Sequence, residues 1–116
     1  MKRRSGPSEV LALLGLAQRA GAVARGSGAT RRAILKGEAR LVVFARDASA
    51  VQVDKILKTM RDRPLRKGYV PSRSSLGAAL GAGPLSAIAV TNASFANQVF
   101  RALAAGGGND AAPDSQ

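Results

Sequence analysis

Leu41-Val42-Val43-Phe44-Ala45 is an unbroken apolar run, β-branched and aromatic, closed on either side by Arg40 and by Arg46-Asp47. A strand of this composition has no polar face to turn toward water. It predicts a central strand covered on both sides, as in sheets sandwiched between helices. Working outward, Ser49 with Gln52 three residues on fits a helix-opening capping box. The helix that follows carries Val53, Ile56, Leu57 and Met60 as one apolar stripe, and Pro64 ends it. Upstream, a short helix is expected from about Ala29 to Lys36, stopped by Gly37, with Thr30, Ala33 and Ile34 on one side and Arg32 and Lys36 on the other.

The same grammar extends to both ends. Ser8 to Ala20 reads as a helix with Val10, Leu13, Leu14 and Ala17 at helical spacing, and Ala22-Val23-Ala24 as a very short strand. Gly68-Tyr69-Val70-Pro71 reads as a short strand, with Ser72 capping a helix to about Leu80. Ser86 to Thr91 is another buried strand, with Ile88 and Val90 on one face and alanines on the other. A last helix starts at Asn92 or Ser94 and turns Phe95, Val99 and Leu103 inward. Helix and strand therefore alternate, which predicts a three-layer α/β/α sandwich around a small mixed, mostly parallel four-stranded sheet. Residues 1–7 are expected to be a flexible basic N-terminus, 8–105 a single domain, and 106–116 a disordered tail.

Composition narrows the chemistry. The chain has no cysteine and no histidine, and its seven acids show no paired or caging spacing. This excludes disulfides, thiolate catalysis, zinc sites of the usual kind and the commonest general base. No catalytic residue, metal or cofactor is expected. No apolar run reaches the roughly 20 residues of a membrane span, and the N-terminus lacks the apolar core of a signal peptide, so a cytoplasmic protein without membrane contact is expected. Eighteen basic residues give a net charge of +11, and thirteen of them are arginine. Up to Gly106 the count is eighteen bases against five acids, or +13. So one-sided a surface points to a polyanion, and arginine forks onto phosphate and stacks on bases. The three phenylalanines, Phe44, Phe95 and Phe100, fall at core spacing, leaving Tyr69 as the one other aromatic. Folded RNA met by shape and phosphate is favoured over a single strand stacked on aromatics.

The segment that could meet it is Arg25-Gly26-Ser27-Gly28-Ala29-Thr30-Arg31-Arg32. A glycine turn enters a helix N-terminus there, flanked by arginines. Free amides and the positive end of the helix dipole suit a phosphate or a base edge. The alternative is a solvated helix face behind a permissive turn. Two phosphate-loop patterns fail nearby: Arg31 replaces the third glycine of a dinucleotide fingerprint, and Ser27 stands where a Walker lysine belongs.

Several stretches carry a resemblance. Leu13 to Gly21, Gly26 to Ile34, Leu41 to Ser49, Val70-Pro71-Ser72, Leu76 to Gly81 and Ile88 to Thr91 stand in the order and spacing of the L7Ae/L30e ribosomal protein superfamily of kink-turn RNA binders, in its bacterial, YlxQ-like branch. The resemblance spans about Ser8 to Ala104 and implies a three-layer sandwich. That family's RNA motif is Gly-x-Asn-Glu-x-x-Lys. Gly26 matches its glycine and Arg32 takes the place of its lysine, while Gly28 and Ala29 occupy the Asn and Glu positions. The resemblance thus implies a backbone approach and cationic contacts without the polar pair that reads base edges. It also implies a second contact, an apolar loop before the last strand, occupied by Pro84, Leu85 and Ser86; Leu85 is equally readable as a lid on the core. The candidate RNA-binding residues are Arg25, Gly26, Ser27, Gly28, Ala29, Arg31, Arg32, Lys36, Pro84, Leu85 and Ser86. The expected function is non-catalytic binding of structured RNA, kink-turn-like or ribosomal, in a ribosome or RNA-maturation context, as a monomer or weak dimer. The alternatives are a protein-interaction or dimerising module on the same scaffold, and a substrate-holding partner of an RNA-modifying enzyme.

Overall fold

The computed structural model describes residues 7–107. Along them run α1 (Pro7–Arg19), β1 (Val23–Arg25), α2 (Ser27–Leu35), β2 (Leu41–Ala45), α3 (Ala50–Met60), β3 (Arg66–Val70), α4 (Arg73–Ala79), β4 (Ala87–Val90) and α5 (Ala93–Gly107). Of the expected N-terminal arm and tail, only Pro7 and Gly106-Gly107 fall among the described residues, opening α1 and closing α5. The remainder of both lies outside them.

The apolar run Leu41–Ala45 is β2, buried along its whole length, and the sheet order is β1-β4-β2-β3. Its side chains alternate between two cores. Leu41, Val43 and Ala45 join Val10, Leu14, Leu76, Val99 and Leu103 from α1, α4 and α5. Val42 and Phe44 join Ala33, Ile34, Ile56 and Met60 from α2 and α3. β4 obeys the same alternation, Ile88 and Val90 entering the first core and Ala87 and Ala89 the second. Three layers result: α1, α4 and α5 on one face, the sheet, and α2 with α3 on the other.

Hydroxyl and amide caps fix where helices start. Ser49 Oγ accepts from the Gln52 amide at 3.3 Å, Ser72 Oγ from the Ser75 amide at 3.0 Å, and Asn92 Oδ1 from the Phe95 amide at 3.0 Å. Of the three phenylalanines only Phe44 is fully buried; Phe95 and Phe100 are half-buried against the first core.

The expectation of a mostly parallel sheet is corrected. β2 and β3 pair in parallel, but β4 runs antiparallel to both β1 and β2. β1, β2 and β3 do share one direction, as alternation demands. The exception lies at α4, the shortest of the five described helices. Its seven residues span about 10 Å, shorter than the roughly 16 Å of a five-residue strand. It does not carry the chain back along the sheet, so β4 starts at the end where β3 stops and runs the other way, slotted between β1 and β2.

Candidate nucleic-acid interface

Because β4 is reversed, one end of the sheet gathers four connections: the segments after β1, β2 and β3 and the one before β4. Their backbones are tied together. The Gly26 amide donates to the Ala87 carbonyl at 3.0 Å, Ala45 to Ser86 at 2.9 Å, Arg46 to Val70 at 2.9 Å, and Leu85 to Arg73 at 3.1 Å. The glycine turn and the loop Pro84-Leu85-Ser86, sixty residues apart in sequence, thus become neighbours through the pairing of Arg25 with Ile88. Ligands of open α/β sheets characteristically sit outside the carboxyl ends of the strands, and three of the four strands end here.

Gly26 makes the turn at φ 95°, ψ 163°, a region that a side chain would strain. Helix α2 then starts at Ser27, two residues before the expected Ala29. Gly28 therefore lies inside the first helical turn rather than in the loop, without a positive φ. The N-cap, being glycine, has no side chain to offer, no acid lies in the first turn, and no side-chain cap bond is made. The earliest amides of α2 are therefore left to solvent or to a ligand. Arg32 reaches back over them, as helical side chains lean toward the N-terminus. Its Nη1 lies 3.5 Å from where a Cβ on Gly28 would be. Arg25, Arg31 and Arg32 are exposed, and Ser27 and Ala29 half-buried. Thr30, beneath them, is fully buried, and its Oγ1 has no hydrogen-bond partner among the described residues.

Lys36 does not join this group. It is the C-cap of α2, about 14 Å along the axis from the first turn, at the other end of the sheet. The apolar loop divides as well. Leu85 is half-buried and packs on the first core, whereas Pro84 is exposed. The loop is held close by Gly77 in α4, where a Cβ would overlap the backbone of Gly83. Arg25 Nη1 adds a 3.4 Å bond to the Leu80 carbonyl at the end of the same helix.

Two arginines at this edge escaped the sequence reading. Arg46, just after β2, holds its guanidinium carbon 5.5 Å from the Tyr69 ring centroid. Arg73, just after β3, pairs through Nε with Asp47 Oδ1 at 3.7 Å, and its amide donates to the same oxygen at 2.7 Å. The available signal was positional: both follow strands that end at the ligand-facing edge. Among the described residues no group of acids, histidines or cysteines could hold a metal, and no helix is long and apolar enough to cross a membrane.

The model of the ribosomal protein L7Ae/L30e/S12e/Gadd45 family matches residues 8–100. The chain belongs to this family. A curated member, the RNA-binding protein YlxQ of Bacillus subtilis (strain 168), is 33% identical over 91 residues, covering 78% of this chain and 91% of that protein. Among solved structures, a Bacillus halodurans protein of unknown function superposes with a TM-score of 0.76 at 29% identity, over 81% of this chain and 95% of that one. The Giardia lamblia 15.5kD RNA binding protein superposes with a TM-score of 0.68 at 21% identity, over 84% of each chain. The last likeness is one of fold. Gly28 and Ala29, at the positions where the resemblance placed Asn and Glu, carry no polar side chain, and Arg32 leans toward Gly28.

Proposed function

We propose that the protein binds structured RNA at the end of the sheet where β1, β2 and β3 stop, without catalysis, cofactor or metal. The observation that carries this reading is the uncapped start of α2, with Arg32 leaning over it, Arg25 and Arg31 exposed on the same segment, and Pro84-Leu85-Ser86 set against it. Open amides and the helix dipole accept a phosphate or a base edge, arginines neutralise the neighbouring backbone, and the exposed Pro84 offers an apolar rest for an extruded base. Gly28 and Ala29 provide no side-chain acceptors or donors for base edges. Recognition therefore rests on shape and phosphates, and kink-turn-like or ribosomal RNA in the cytoplasm, in a ribosome or RNA-maturation setting, is the class that fits. The relationship to YlxQ, an RNA-binding protein by name, supports the reading.

Binding of the full chain to a stem-loop RNA, measured across a salt series, tests it. The logarithm of the binding constant should fall linearly with log salt, by about 0.9 for each duplex phosphate neutralised. A flat line, or no binding at low salt, refutes the proposal.

A further inference from the structure

The opposite end of the sheet, where β2 and β3 begin, holds an open cavity of about 420 Å³ that the proposed RNA edge does not use. Three arginines line it: Arg40 before β2, Arg63 after α3, and Arg66 at the start of β3. Arg63 and Arg66 are neighbours in sequence, and Arg40, more than twenty residues upstream, meets them because the topology returns α2, α3 and β4 to this end. Ile34, Pro64 and Leu65 supply apolar wall, and no carboxylate lines the cavity.

Two of the arginines are held in place by side-chain contacts. Arg66 Nη2 donates to Asn97 Oδ1 at 2.7 Å, and its guanidinium carbon lies 4.5 Å from the Phe100 ring centroid. Arg63 Nη1 donates to the Thr59 carbonyl at 3.1 Å. These partners are neutral. Among the described residues none of the three arginines has an acidic partner, so Arg63 and Arg66 are held by neutral groups and the charge of all three is left uncompensated. A cleft with walls of low dielectric concentrates such a field. Convergence of like charges costs stability, and an anion removes that cost.

We infer that this cavity is a second binding site, one that takes a nucleotide unit, its phosphate between the arginines and its base against Pro64 and Leu65. The volume lies within the roughly 300–1,000 Å³ of small-molecule sites and exceeds the need of a bare phosphate. Pairing apolar wall with arginines suits a base joined to a phosphate better than an acidic side chain. RNA is the source that the chain's +11 charge favours. This extends the reading above: the two sites lie a strand length apart, about 16 Å, at opposite ends of the sheet. The protein would then join two RNA segments rather than rest on one.

The test uses the isotope-labelled full chain, its amide spectrum followed during titration with a stem-loop RNA. The amides of Gly37, Leu65 and Ala93 should shift together with those of Gly28 and Ala29. In the Arg40→Glu/Arg63→Glu variant the cavity shifts should vanish and the others persist, with affinity falling at least tenfold and the salt slope becoming shallower by about 2. An otherwise unchanged spectrum certifies the fold, and Arg40→Gln/Arg63→Gln repeats the test without reversed charge. Shifts confined to Gly28 and Ala29 would overturn the second site and leave the proposed function standing. Shifts confined to the cavity would do the reverse. Two further probes distinguish the occupant. Response to free AMP or GMP but not to the stem-loop would overturn RNA as the source. An equal response to polyglutamate would overturn the nucleotide assignment.

Discussion

The two ends of the sheet are both basic, but they are basic in different ways. Where β1, β2 and β3 stop, the binding elements are largely backbone: the amides of α2 behind Gly26 and the loop that Gly77 lets approach. Some of its cations are engaged internally, Arg73 with Asp47 and Arg25 with the Leu80 carbonyl. At the other end the elements are side chains, three arginines around a cavity with no acid. Backbone sites are fixed by the fold and sensitive to geometry. Side-chain sites are fixed by a few contacts and sensitive to charge. Substitutions that disturb geometry should therefore act on the first end, and substitutions that disturb charge should act on both.

The largest effect is expected from Gly77→Ala, which needs no change in charge. Its Cβ would overlap the Gly83 backbone, forcing the loop before β4 away from α4. Overpacking of this kind costs about 1–3 kcal/mol, and a rigid backbone partner places this site near the upper end. Urea denaturation should show that loss, with RNA affinity falling in parallel while the cavity arginines stay in place. Unchanged stability would mean that the loop is not held by this contact.

Arg32→Ala against Lys58→Ala comes next. Arg32 leans over the open amides of α2, whereas Lys58 is exposed on α3 and pairs with Asp54 at 3.2 Å. Losing a charge-assisted hydrogen bond to RNA costs about 2 kcal/mol, roughly thirtyfold in affinity. Removing a screened distant charge should cost about twofold at most. Equal losses in a binding titration would erase the distinction between contact and field at this end.

A subtler change sharpens the first end instead of weakening it. Gly28 has no positive φ, and a Cβ there meets Arg32 at ordinary contact distance, so Gly28→Asn with Ala29→Glu should fold without strain. The pair restores the side chains of the family's RNA motif. It should raise preference for a kink-turn RNA over a plain hairpin by about tenfold, the discrimination expected of one good polar contact. No gain would show that the backbone geometry alone sets this protein's choice.

Thr30→Val should have the smallest effect and the opposite sign. The buried hydroxyl has no partner, and replacing it with a methyl removes a desolvation cost of about 1 kcal/mol. Thermal melting should rise by a few degrees, about 4 °C or more for a domain of this size. RNA affinity should not move, because Thr30 faces the core and not the edge.

Much of this architecture is legible in the residues. Leu41–Ala45 announces a strand with two buried faces, Ser49 and Ser72 mark helix starts, and Ile88 and Val90 declare their face, because each signal is local. The direction of β4 is not local. It depends on where the chain after the short α4 re-enters the sheet, and it does so at the end where β3 stops. The start of α2 was hidden for another reason. Two glycines around a serine read as a turn, although only Gly26 needs the conformation that glycine alone adopts freely. Arg25, Gly26, Gly28 and Arg32 could be picked out because they are contiguous. Lys36, on the same helix, stands apart from them, since a shared face says nothing about distance along the axis. Arg46 and Arg73 are hidden until strand ends are known, and the meeting of Arg40 with Arg63 and Arg66 until the topology is known.

The reversed strand also governs how the chain is assembled. Among the described residues β4 is the last strand in chain order, yet it lies inside the sheet, between β1 and β2. Until about residue 90 has emerged, those two strands face an empty slot, each with an unpaired edge open to foreign strands. Closure then joins β4 to β2, more than forty residues away, and to β1, more than sixty away, distant pairings that slow folding. A nascent chain halted short of Ala87 is thus the most vulnerable to aggregation, and synthesis of β4 is what closes the sheet.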